Sequence, residues 1–126
     1  MIVDSDVLIW FFRGNEKALQ TLYELGPFSL SCITQMELMQ GAKNKKEQTL
    51  ITKQFEAWRA DIIFINEQIS ERASGLVREF SLKGGITISD ALIAATALEH
   101  NAELLTANTK HFEMVPRLKV ARFNAE

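Results

Sequence analysis

Residues 1–12 read MIVDSDVLIWFF, an unbroken apolar run that ends at Asp4 and gives way at once to a helical stretch. A strand exposed on one face would alternate apolar and polar residues, so residues 1–4 read as a strand buried on both faces. The unit recurs. FSLSCI (28–33) is a plausible short strand, and Thr34-Gln35-Met36-Glu37 then begins a helix reaching Gly41. IIFI (62–65) reads as another buried strand, and ELLTA (103–107) and LKVARF (118–123) give two last ones.

The helices between them carry their own punctuation. Asn15 caps a helix in which Ala18, Leu19, Leu22 and Tyr23 keep the i, i+3, i+4 spacing until Gly26-Pro27 stops it. Leu50, Ile51, Phe55 and Trp58 form one stripe on a polar helix from Lys45 to Trp58. Asn66 caps the next, with Ile69, Ala73, Leu76, Val77 and Phe80 on one face and Lys83-Gly84-Gly85 as its stop. Ser89-Asp90 opens ALIAATALEH, which is apolar on nearly every side and must be covered by the sheet and by other helices or a second subunit. Strands alternating with helices predict an α/β fold, a mostly parallel central sheet between two helix layers. At 126 residues, with no repeat or linker, the expectation is a single domain over 1–126.

Composition narrows the function. Hydrophobic residues at 47% and charged residues at 24% suit a folded globular chain and argue against disorder or a fibre. A net charge of −2 removes any strong overall positive field, so contact with nucleic acid has to be local. Lys43, Lys45, Lys46 and Lys53 make one basic run and Arg117, Lys119 and Arg122 another, either touching phosphates or merely solvated. Cys32 is the only cysteine, which excludes an internal disulfide and fits a reducing compartment, here the cytoplasm. No stretch approaches the roughly 20 apolar residues of a membrane span, so no membrane partner is expected.

In sheets of this kind, chemistry is sought just past the carboxyl ends of the strands. Asp4 and Asp6 follow the first strand, Glu37 the second, and Asp90 starts the helix before the fourth. Brought together, these acids would repel one another and raise their pKa values unless a cation neutralised them. Donors that are all oxygen favour Mg²⁺ or Mn²⁺ and hence phosphoester chemistry. Each acid also suits a helix start: Asp4 as an N-cap, Asp90 near the dipole, and Thr34 to Glu37 as a capping box, each contributing about 1 kcal/mol.

IVDSD (2–6), TQMELMQGA (34–42), ISDALIAATAL (88–98) and LLTANTKHF (104–112) resemble the four motifs of PIN-domain ribonucleases, particularly the toxin subunits of VapBC-type toxin–antitoxin pairs. The resemblance spans nearly the whole chain and implies a three-layer α/β/α PIN-like fold. It further implies that Asp4, Glu37 and Asp90 hold Mg²⁺ or Mn²⁺ for RNA cleavage, with Asp4 and Asp90 as ligands and Glu37 orienting or deprotonating a water. Ser5, Asp6 and Thr34 would support them, and Lys43, Lys45 and Lys46 would contact RNA. The implied partners are an RNA substrate, a cognate antitoxin whose amphipathic segment fills an apolar groove, and a second copy of the chain in a homodimer and a larger toxin–antitoxin assembly.

The motifs depart from the fuller pattern at two places. Asn108 stands where many PIN domains have a fourth Asp, and His111 where related toxins often have Asp before Phe. An Asn carbonyl can still coordinate, but it neutralises less charge, so one firmly held metal is expected rather than two. His111 reads as a surface residue, with proton donor or ligand as the alternative. Trp10, Phe11 and Phe12 are either core or partner contacts. The competing functions are a PIN-like RNA-binding module without catalysis and, at a distance, a phosphoacceptor domain. For the latter, Asn66 after IIFI supplies no acceptor Asp.

Overall fold

The structure, a computed structural model, describes residues 1–126. Five strands, β1 (Ile2–Val3), β2 (Ser29–Ser31), β3 (Asp61–Ile63), β4 (Leu104–Thr106) and β5 (Val120–Arg122), form one sheet in the order β3-β2-β1-β4-β5. Every pairing is parallel, with Ile2 beside Ser29 on one side and beside Leu104 on the other. Parallel neighbours need crossover connections, which the helices supply. These are α1 (Ser5–Phe12), α2 (Glu16–Leu25), α3 (Cys32–Gly41), α4 (Lys45–Trp58), α5 (Glu67–Gly84) and α6 (Ile88–Glu99).

Two apolar cores lie on opposite faces of the sheet. Ile2 and Leu104 point into one with Ile69, Phe80, Ile93 and Phe112, while their neighbours Val3 and Leu105 point into the other with Val7, Leu8, Leu22 and Phe55. The period-two alternation of β1 and β4 thus feeds both helix layers, α5 and α6 on one side and α1, α2 and α4 on the other. The three-layer α/β/α expectation holds. Ala91, Ile93, Ala94, Ala95, Thr96 and Ala97 of α6 are all buried by the chain itself, so covering this helix requires no second subunit.

Asn15 and Asn66 cap α2 and α5 as expected, accepting from Ala18 N and Ile69 N at 2.9 Å each. Three expectations need correction. First, α3 begins at Cys32, because Ser31 Oγ accepts from Ile33 N at 3.1 Å; Thr34 lies inside the helix and caps nothing. The capping box from Thr34 to Glu37 is therefore absent. Second, Thr87 caps α6 by accepting from Asp90 N at 3.1 Å, which puts Ser89 and Asp90 within the first turn. Third, β3 is an edge strand whose residues are exposed or half-buried, and Phe64 beyond it is 71% exposed.

The aromatic block of α1 divides. Phe11 packs edge-on against Trp58 with ring centroids 4.7 Å apart, whereas Trp10 and Phe12 stay more than a third exposed. No helix is long and apolar enough to cross a membrane.

Candidate active site

Asp4 follows the central strand β1 and caps α1, its backbone N–H donating to Leu105 O at 2.9 Å across the sheet. That ladder bond fixes its side chain at the sheet's carboxyl edge, where it is buried. Oδ1 accepts from Ser5 N at 2.8 Å and Oδ2 from Thr106 Oγ1 at 2.8 Å. Thr106 ends β4, and sequence reading missed it: only the pairing of β4 with β1 brings a residue 102 positions away onto Asp4. Its hydroxyl accepts from Asn108 N at 3.0 Å, so its own proton is free for the carboxylates.

Asp6 lies deeper than a rim residue. Its Oδ2 accepts from Ala107 N at 3.0 Å and lies 3.2 Å from Thr106 Oγ1, while its Oδ1 is buried with no partner. Glu37, exposed on α3, reaches the group through Ser5, whose Oγ donates to Glu37 Oε1 at 3.2 Å and stands 3.4 Å from Asp4 Oδ1. Asp90 comes from the first turn of α6, with His111 Nδ1 3.5 Å from its Oδ2. Asp4, Asp6, Ser5 and Glu37 are therefore joined in one network with the end of β4, and Asp90 lies close enough for its charge to act on Asp4.

The other candidates take different places. Thr34 is fully buried and its hydroxyl has no partner. Asn108 enters the network through its backbone N–H, its side chain lying exposed. Lys43, Lys45 and Lys46 are exposed where α4 begins, and Lys43 lines a groove of about 640 Å³ with Glu37, Ile9, Phe12 and Leu50.

Burial pushes the Asp4 carboxyl up to about 6, and the charge of Asp6 and, more weakly, Asp90 adds to it; bonds from Thr106 and Ser5 oppose the rise. Asp6 is also raised, chiefly by burial, with the Ala107 amide working against it. No lysine or arginine pairs with any of these acids: the ion pairs are Arg72 with Glu99 and His111 with Asp90. The acids thus have no lysine or arginine to offset them, and the one basic side chain beside them is the His111 imidazole. As the side chains stand, no three His, Cys, Asp or Glu residues are close enough together to hold an ion. In donor chemistry, however, the set fits a hard divalent cation: anionic oxygens, an orphaned buried carboxylate oxygen and no lysine or arginine paired with them.

An all-parallel sheet between helix layers, with carboxylates gathered at its carboxyl edge, defines the class. Residues 1–118 match the PIN domain family model, and the chain belongs to the PIN-domain family. It is 35% identical over 115 residues to Ribonuclease VapC1 of Methanocaldococcus jannaschii, covering 90% of this chain and 79% of that protein. It is 33% identical over 127 residues to Ribonuclease VapC10 of Mycobacterium tuberculosis, covering 94% and 90%. Among solved structures it resembles a chain of a toxin–antitoxin complex from Klebsiella pneumoniae, with a TM-score of 0.78, 36% identity and coverage of 99% and 97%. The phosphoacceptor alternative falls with this membership and with the edge position of β3.

Proposed function

We propose that this chain is a metal-dependent endoribonuclease, the toxin of a type II toxin–antitoxin pair, which inhibits translation by cleaving RNA. The observation that carries this reading is the buried Asp4 carboxyl, crowded by Asp6 and Asp90 at the sheet edge with no lysine or arginine to offset it. The kinship with proteins named VapC ribonucleases supports the same activity. Asp4 and Asp90, with Glu37 contributing, would hold Mg²⁺ or Mn²⁺. When bound, such an ion supplies Lewis-acid polarisation of a phosphodiester and makes water more acidic.

The chain's own residues do the rest. Asp4 is fixed in one rotamer by Ser5 N–H and Thr106 Oγ1, so it presents the same oxygens at each turnover. Glu37 is exposed and held by Ser5, and its carboxylate would orient or deprotonate an incoming water. Lys43, Lys45 and Lys46 offer positive charge to the RNA backbone. The expected ends are 5′-phosphate and 3′-hydroxyl.

The groove lined by Ile9, Phe12, Leu50, Glu37 and Lys43 suits the amphipathic segment of a cognate antitoxin, in the helix-in-groove manner, with a basic side chain reaching Glu37. A homodimer within a larger toxin–antitoxin assembly and a cytoplasmic site of action complete the proposal. The test is cleavage of cellular RNA by the purified chain, with Mg²⁺ or Mn²⁺ against chelator, followed by end mapping. Cuts indifferent to chelator overturn the mechanism. Two observations favour a second reading, a PIN-like RNA-binding module without catalysis: Asn108 is neutral, and no three candidate ligands converge. RNA binding with no cleavage under either ion would establish it.

A further inference from the structure

His111 is the one nitrogen donor at the acidic edge. The other histidine, His100, caps the far end of α6 with its ring on Thr96 O. His111 closes a short 3-10 turn, Thr109–His111, and the next residue, Phe112, is 1% exposed in the core, so the turn is pinned from below. Its Nδ1 stands 3.5 Å from Asp90 Oδ2, and its side chain is 56% exposed. That spacing is informative. Two neighbouring donors on one octahedral ion with bonds of roughly 2.1 Å lie roughly 3 Å apart, so a small movement lets Asp90 and His111 grip the same ion.

We infer that His111 supplies a nitrogen ligand beside Asp90 and thereby biases the acidic centre toward Mn²⁺ over Mg²⁺. The inference rests on the proposed metal site and adds which ion that site prefers. Mg²⁺ demands oxygen donors and gives up its waters reluctantly, whereas Mn²⁺ begins the transition-metal affinity series and accepts imidazole more readily. In the free protein Nδ1 faces the carboxylate. On ligation Nδ1 gives its lone pair to the ion and the ring proton resides on Nε2. The side chain of Asn108, at the start of the same turn, brings no charge to compete for this role.

The test uses the full chain with Mn²⁺ and electron spin-echo spectroscopy, in natural abundance and with ¹⁵N-labelled histidine. The expected result is a ¹⁴N modulation on bound Mn²⁺ that becomes ¹⁵N on labelling. Calorimetry of His111→Ala should show Mn²⁺ affinity falling about tenfold and Mg²⁺ affinity less than about twofold. Bound Mn²⁺ without nitrogen modulation, or equal losses for both ions, overturns the role of His111 and leaves the carboxylate centre standing. Failure of the wild-type chain to bind Mn²⁺ overturns both.

Discussion

Asp4 is the side chain under most tension in the molecule, since the folded chain shields it from water, aims Asp6 at it and provides hydroxyl and amide bonds that only partly offset the rise. Its carboxyl holds a proton in the fold up to about pH 6, against 3.8 in an unfolded chain. The unfolded state therefore ionises first, and the contribution of this group to stability falls as pH rises from about 4 to about 6, by at most about 3 kcal/mol. Asp4→Asn keeps a capping oxygen and removes the charge. In chelator at pH 7 the variant should unfold at higher urea than the wild type, by about 1 to 3 kcal/mol, and the difference should vanish near pH 4. Mn²⁺ should stabilise the wild type alone, and the variant should cleave no RNA. A variant less stable than wild type at pH 7 would show that the charge is already satisfied in the metal-free fold.

At the scale of elements, the sequence disclosed the strand–helix alternation, the Asn15 and Asn66 caps and the span of α4, because these depend on neighbours a few residues apart. It misplaced the start of α3. Ser31 and Thr34 are both acceptable caps in isolation, and the choice between them is made by where β2 stops, which its parallel pairing with β3 decides. Asp4, Asp6, Glu37 and Asp90 were legible as acids past strand ends. Thr106 was not, since its significance comes from a strand neighbour at the other end of the chain. Another local feature is open to adjustment: α4 ends on Arg59 in the left-handed region, φ 54°, a conformation that glycine adopts without steric penalty. Arg59→Gly should stabilise the chain by up to about 1 kcal/mol, read as a rise in urea midpoint at constant slope. A fall in the midpoint would mean that the arginine side chain makes contacts outweighing its backbone strain.

For the whole molecule, the charge distribution is as informative as the fold. A chain of net charge −2 with carboxylates at its cleft has to draw RNA toward itself from the side, and the lysines where α4 begins are next to the groove that contains Glu37. Replacing Lys43, Lys45 and Lys46 together by Ala should weaken single-stranded RNA binding and reduce the slope of log affinity against log salt by about 2. An unchanged slope would remove these residues from the interface. The sheet order has a temporal implication as well. Ile2 lies against Ser29 on one side and against Leu104 on the other, so the first strand gains one ladder partner early but waits for its second until residue 104 has been synthesised. Fragments from premature termination, and chains still threading out of a ribosome, hold Asp4 and Glu37 without Thr106 to seat them. Assembly of the cleft is thereby postponed until β4 has been made, by topology alone.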